Sequence, residues 1–269
     1  MTFSKRNISE LTKKQIFFLD LDGTIYLENK LFKRVPELIE VFREKQKSFF
    51  FLSNNSSLST KAYLEKLNKF KLNITEENII LSQHPTIEYL KQNNYRKIFL
   101  LGTTSLKKEF EIEGFELTEQ VPQIIVLAFD KELTYDRLAK ATKFLLKEDF
   151  PYIATHLDNR CPTEQGYIPD AGGIAALLYK ATERMPLVFG KPNKEMLLFK
   201  LNKLRKSSKD AVMIGDRLYT DIRMGFNAEV TTCCVLSGET TMEMIRNSED
   251  TPDFIINGIW DLLDEFNKI

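Results

Sequence analysis

The sequence predicts an α/β protein with a mostly parallel sheet, interrupted by a second α/β domain. Three observations predict it. Short apolar runs, each stopped by turn-forming residues, recur along the chain as buried strands do. Helix-spaced apolar residues lie between those runs, and strands alternating with helices build parallel sheets. Polar breaks near residue 84 and near 182–186 divide the pattern.

In chain order, the strand-like runs are 16–19, 48–52, 79–81, 98–101, 124–129, 152–155, 187–189, 211–214, 231–235 and 254–256. Helical faces carry Leu64, Leu67 and Phe70, then Leu138, Ala141 and Leu145, then Leu197, Leu201 and Leu204. Thr240-Thr241-Met242-Glu243 reads as a capping box. Pro85 and the Asn/Lys-rich stretch 91–96 mark the first break. The expected organisation is a core of residues 1–83 and 186–269 with an inserted domain over 84–185.

Composition narrows the function classes. At 269 residues the chain is long enough for a sizeable core and two compact units. Apolar content of 43% and charged content of 28% are those of a soluble globular protein. Lys+Arg and Asp+Glu balance at 38 each, so no field points to nucleic acid or to an anionic membrane. Phenylalanine falls in strand-like runs such as Phe49-Phe50-Phe51, as core residues do. Cys161, Cys233 and Cys234 give neither a disulfide framework nor zinc-ligand spacing. His84 and His156 alone leave little for a histidine-based metal site. A reduced, cytoplasmic compartment is expected. Residues 1–15 are polar, without the apolar core of a leader, and no apolar run is long enough to span a bilayer.

Four strand ends carry chemistry. The run 16–19 ends in Asp20-Leu21-Asp22-Gly23-Thr24. In open α/β sheets ligands bind at that carboxyl edge. Side chains alternate along a strand, so carboxylates at i and i+2 can point the same way. Two like charges so close need a cation, a shared proton or solvent. Taken alone, the motif also reads as an Asp-rich turn. Ser53-Asn54-Asn55-Ser56-Ser57 leads from a strand into a helix, a natural anion cradle and equally an N-capped turn. Gly190-Lys191-Pro192 holds a lysine where it can offset phosphate charge, although most lysines are simply solvated. Gly215-Asp216 ends another strand, with Asp221 five residues on. Their joint occurrence in this order decides for a site.

These four segments resemble the motifs of the haloacid dehalogenase (HAD) superfamily of phosphatases over nearly the whole chain. They resemble in particular its subclass IIA, the NagD-like and p-nitrophenyl phosphatases. That group has Asn-Asn after the second motif and G-D-x-x-x-T-D as the fourth, matched by Gly215 to Asp221. Only 32 residues lie between Asp20 and Ser53, too few for a cap domain, whereas 137 lie between Ser53 and Lys191.

The resemblance implies a doubly wound, Rossmann-like parallel-sheet core with an inserted α/β cap. It implies Mg²⁺-dependent hydrolysis of small phosphate monoesters through an aspartyl-phosphate. Asp20 is then the nucleophile, Asp22 the general acid and later base, and Lys191 the third catalytic residue. Asp20, the Asp22 carbonyl and Asp216 hold the metal, with Asp221 acting through water or orienting Lys191. Ser53, Asn54, Asn55, Gly23 and Lys191 bind phosphate. Candidate readers of the leaving group are Asp130, His156, Asp158, Asn159 and Arg160. Two positions depart from the family's cap pattern. His156 stands where Asn is common, and Asp170 follows Pro169 where P-G-x-G has its first glycine. Family substrates therefore do not carry over. The expected partner is a small phosphorylated metabolite, not nucleic acid or membrane, with the chain a monomer or a cap-mediated homodimer. A phosphotransferase or phosphomutase uses the same scaffold, as does a non-catalytic phospho-ligand-binding protein. Retention of both Asp20 and Asp22 counts against the last.

Overall fold

Alternation along the strand Ile16–Asp20 sends Phe17 and Phe18 to opposite faces of one sheet, and both faces are covered by helices. This is a computed structural model, which describes residues 7–27, 30–163 and 165–269. The chain divides into two units. One comprises residues up to Ser53, Leu64–Ile80 and Lys191–Ile269; the other comprises Asn54–Tyr63 and Leu81–Gly190.

In the first unit, the sheet runs in the order Phe254–Ile256, Thr231–Val235, Ala211–Gly215, Ile16–Asp20, Ser48–Ser53, Ile79–Leu81. Phe18 packs with Phe50, Met213 and Met196, the last from the helix Glu195–Leu204. Phe17 stacks on Phe42 of the helix Val35–Glu44, with ring centroids 4.4 Å apart, and meets Phe266 of the helix Ile259–Phe266. The strand order reverses at Ile16–Asp20, which makes its carboxyl end the topological switch point. Register brings the neighbouring strand ends level there: Asp20 pairs with Leu52, and Leu19 with Ile214. Ser53 and Asp216 consequently emerge at the same edge as Asp20.

The second unit has its own parallel sheet, ordered Leu187–Val188, Tyr152–Ala154, Ile124–Leu127, Lys97–Leu101, Glu116–Leu117. One face packs Leu100, Val126 and Ile153 on Leu106 and Phe110. The other packs Leu101, Ile125 and Ala154 on Ala141, Leu145, Ile174 and Leu178. An antiparallel hairpin joins Arg160–Thr163 to Gly166–Pro169.

Several local expectations are corrected. The run 187–189 belongs to the second sheet, because Leu187 pairs with Ile153 and Val188 with Ala154. Pro85 lies inside the first turn of the helix Gln83–Gln92, where a missing N–H costs nothing, and the units divide just before that helix, at Ile80 and Leu81. Thr241, not Thr240, caps the helix Met242–Asn247 by accepting from Met244 N–H. Phe70 falls beyond the helix Thr60–Asn68 and stacks on Tyr26 instead. The loop before that helix sits in the second unit because hydrogen bonds bind it there. Ser56 Oγ and Thr155 Oγ1 are 2.9 Å apart, Thr103 donates to Ser57 O, and Thr60 donates to Glu109. Short polar strands such as Glu116–Leu117 and the 160–169 hairpin carry no apolar run and were not expected.

Candidate active site

The turn after Ile16–Asp20 is tight: Leu21 O accepts from the backbone N–H groups of Thr24, Ile25 and Tyr26. Gly23 has φ +86°, and a Cβ there would lie 2.4 Å from Asp216 Oδ2, so both conformation and space require glycine. Gly23 therefore lets Asp216 approach the turn. Asp216 Oδ2 accepts from Glu239 N–H at 2.7 Å, and a Cβ on Gly238 would lie 2.0 Å from that oxygen. Sequence reasoning missed Gly238. Its signal was present, since Ser237-Gly238 ends the run 231–235 as the other motifs end theirs.

Asp20, Asp216 and Asp221 each bring a carboxylate oxygen within 4.8 Å of the others. Asp221 is turned back to the sheet edge by the π-helical turn Leu218–Ile222, and its Oδ2 accepts from Arg217 N–H. Lys191 donates to Asp20 Oδ1 and lies 2.8 Å from Asp221 Oδ1. Lys191, Asp216 and Asp221 are all buried. Asp216 Oδ1 is buried with no hydrogen-bond partner among the described residues.

Three carboxylates thus face the Lys191 ammonium, with the Arg217 guanidinium also acting on them. Burial, then the charge of Asp221, pushes the Asp20 carboxyl well above its ordinary value. The same two causes push Asp216 up to about 6. Burial pulls Lys191 down, but Asp20 and Asp221 outweigh it and hold the ammonium charged. An excess of buried oxygen donors, one of them orphaned, fits a hard divalent cation, which would supply the missing positive charge.

Asp22 is set apart from this cluster. Its side chain reaches solvent, and Tyr26 Oη donates to Oδ2 at 3.3 Å, while Lys66 Nζ lies 3.4 Å from Tyr26 Oη. Partial desolvation raises the Asp22 carboxyl, against Lys66 and Tyr26. Ser53 is buried at the end of its strand.

The remaining expected residues lie in the second unit. Asn54 Nδ2 donates to Asp158 Oδ1 at 3.0 Å, and Ser82 Oγ donates to Asn54 O. Asn55 Oδ1 accepts from Ser57 N–H and Ser57 Oγ, shaping the loop. His156 is fully buried between Asp158 and Asp170. Asn159 is exposed, and its carbonyl accepts from Asp170 N–H. Arg160 is exposed on the hairpin, 4.3 Å over the Tyr167 ring. Asp130 is buried and committed: Arg137 Nη1 donates to it at 2.5 Å and Glu132 N–H at 2.9 Å. It is an ion-pair partner for Arg137. Arg137 itself gave no local signal, because the pairing is made by folding.

A family model described as haloacid dehalogenase-like hydrolase matches residues 17–116, and one described as HAD-hydrolase-like matches 188–262. Chloroplastic phosphoglycolate phosphatase 1A of Arabidopsis thaliana is 31% identical over 93% of this chain and 76% of its own. The chain belongs to the haloacid dehalogenase superfamily. Among solved structures, a 4-nitrophenylphosphatase from Thermotoga maritima superposes with a TM-score of 0.90 at 40% identity, covering 96% of this chain and 99% of that one. NagD from E. coli K-12 gives a TM-score of 0.85 at 25% identity, over 91% of this chain and 96% of NagD. These place the HAD chain in the NagD-like, p-nitrophenyl phosphatase group. It is a phosphoric monoester hydrolase. Among the described residues, no helix is long and apolar enough to cross a membrane.

Proposed function

We propose that this HAD phosphatase hydrolyses small phosphorylated metabolites in two displacements through an aspartyl-phosphate on Asp20. The observation that carries the reading is the buried set of Asp20, Asp216 and Asp221 around Lys191, with Asp216 Oδ1 orphaned, at the sheet's switch point. Asp20 and Asp216, with the Asp22 carbonyl, would hold Mg²⁺. That cation supplies positive charge against the phosphoryl oxygens and lowers repulsion between substrate and nucleophile.

Asp20 attacks phosphorus from its fixed position. Its Lys191 partner then has an oxygen-rich ligand to hold, as charge spreads over the phosphoryl oxygens. Ser53 Oγ and the Asn54 amide serve the same oxygens. Asp221 keeps Lys191 oriented. Asp22, with a raised carboxyl near solvent, protonates the leaving oxygen. The same group then takes a proton from the water that cleaves the acyl-phosphate. Division of labour is supported by geometry: Asp20 is bound to Lys191, whereas Asp22 contacts the neutral Tyr26 hydroxyl.

Relatives that act on phosphoglycolate and dihydroxyacetone phosphate, by their names, point to a small phosphorylated acid, ketone or sugar as substrate. We place the enzyme in the cytoplasm. The test is hydrolysis of p-nitrophenyl phosphate with Mg²⁺, with a chelator, and by Asp20→Asn. Turnover that needs both Mg²⁺ and Asp20 supports the reading; turnover indifferent to either overturns it.

A further inference from the structure

The catalytic reading leaves unused a polar cluster in the second unit. Its centre is His156, fully buried just past the strand Tyr152–Ala154. His156 Nδ1 accepts from Asp158 N–H at 3.3 Å. A neutral imidazole that accepts at one nitrogen carries its proton on the other. That other nitrogen, Nε2, is buried without a hydrogen-bond partner among the described residues and stands 3.5 Å from Asp170 Oδ1. Asp170 is itself buried and caps the helix Ala171–Thr182, accepting from Ala171 N–H at 2.6 Å. Asp158 accepts in turn from Asn54 Nδ2 at 3.0 Å. The contacts run from Asp170 to His156, through the Asp158 backbone N–H, and from the Asp158 carboxylate to Asn54.

Two glycines press backbone against these contacts. A Cβ on Gly190 would lie 2.6 Å from Thr155 O and 2.7 Å from both Asn54 Oδ1 and His156 Cβ. A Cβ on Gly172 would lie 2.4 Å from Leu157 O, and Gly172 N–H donates to Asp158 O. The cluster therefore grips Asn54, which follows Ser53 in the chain, and Gly190, which precedes Lys191.

His156 and Asp170 are distant in the sequence, and in the fold they meet. A buried imidazole N–H without an acceptor costs about 1–3 kcal/mol, and Asp170 places a carboxylate beside it. Without Asp170 the His156 N–H has no carboxylate beside it, and without His156 the Asp170 carboxyl keeps the Ala171 N–H alone. The same three side chains bring ligand-type atoms within 4.8 Å of one another. A metal-bound imidazole, however, donates its second N–H to an acceptor. Here that nitrogen faces the Asp158 N–H donor, so the arrangement does not suit a metal at Nε2.

We propose that His156 and Asp170 are a mutually compensating pair of positioning residues, which through Asp158 set the Asn54 end of the phosphate-holding loop. The pair stands on the packing alone; its effect on phosphate binding rests on the function proposed above.

A double-mutant cycle of His156→Asn, Asp170→Gly and the double variant in the full chain tests it. The readouts are Tm, KM for p-nitrophenyl phosphate, and inhibition by inorganic phosphate. Each single variant is expected to lower Tm and to weaken phosphate inhibition by about tenfold, or 1.4 kcal/mol. The double variant is expected to recover most of both losses, since glycine is a tolerable N-cap. In an Asn54→Ala background, His156→Asn should weaken phosphate no further. Additive effects in the cycle overturn the pair. Singles that change Tm but not KM or phosphate inhibition overturn the positioning role. If His156→Asn does not fold, Asp170→Asn, which keeps an oxygen at the helix cap, must by itself weaken phosphate inhibition, and an unchanged value overturns the proposal. If the wild-type protein does not hydrolyse phosphate esters, the function fails, while coupling in Tm still decides whether the pair exists.

Discussion

The two units each bury carboxylates around a basic side chain, and they balance charge differently. In the first, Asp20, Asp216 and Asp221 face Lys191, and one carboxylate oxygen is left with no partner. In the second, Asp158 and Asp170 face His156, but Asn54 and the N–H of Ala171 occupy their oxygens. Ligand-type residues within 4.8 Å occur in both. The unmet negative charge and the orphaned oxygen make the first a place to bind a cation. In the second, the unpartnered buried atom is the His156 Nε2, a nitrogen that stands 3.5 Å from the Asp170 carboxylate. The kind of atom left over, a carboxylate oxygen in the first and an imidazole nitrogen in the second, distinguishes the two clusters where a count of ligand-type residues does not.

The largest expected effect breaks the first cluster at its nucleophile. Asp20→Asn should lower kcat by on the order of 10⁴-fold or more, as loss of a covalent nucleophile does, measured with p-nitrophenyl phosphate at saturating Mg²⁺. Lys191→Met keeps the nucleophile and removes one charge from the phosphoryl oxygens. A fall of about 10²–10³ in kcat is expected, the scale of losing one preorganised donor, with weaker inhibition by inorganic phosphate.

Asp216→Asn separates binding from stability. Burial and Asp221 hold the Asp216 carboxyl at about 6 in the folded chain, above its ordinary 3.8, so at neutral pH it is ionised at a cost. Without divalent cation the variant should therefore be more stable than wild type, by roughly 2–4 °C in Tm per kcal/mol relieved. Mg²⁺ should raise the Tm of wild type and leave the variant unmoved. A variant less stable without the metal would show that the cluster is not strained by its own charge.

The smallest effect belongs to the second cluster. Burial raises Asp170 to about 6, against the pull of His156, the Ala171 N–H and Lys131 and with a further push from Asp158. A folded-state value above the unfolded one means stability present below about pH 4 and lost as pH rises through 6. The stability of wild type relative to Asp170→Asn should fall across that window and stay level above it, by thermal or urea unfolding at stepped pH.

Much of the first cluster was legible because its chemistry is written locally. A buried strand announces itself by its apolar run, and Asp20, Ser53 and Asp216 each follow one directly. Parallel pairing then brings strand ends together without further information. Lys191 also follows such a run, but that run lies in the second sheet, a placement made by pairing with Ile153 and Ala154. What was illegible depends on contacts between distant residues. Asp130 looks free in the sequence and is taken by Arg137. Pro85 reads as a break and sits in a helix's first turn. The loop 54–60 joins the second unit through Ser56, Ser57 and Thr60, whose partners are far along the chain. His156 and Asp170 are distant in the sequence, and only folding brings their side chains to 3.5 Å.

The central claim, that Asp20 carries the phosphoryl group, is tested most directly by trapping it. The wild-type enzyme is quenched in acid during turnover of p-nitrophenyl phosphate with Mg²⁺, and its peptides are weighed. The account predicts a single added phosphoryl mass on the peptide containing Asp20, lost on treatment with hydroxylamine and absent from Asp20→Asn. A phosphoryl group on any other residue, or the same adduct in Asp20→Asn, would contradict it.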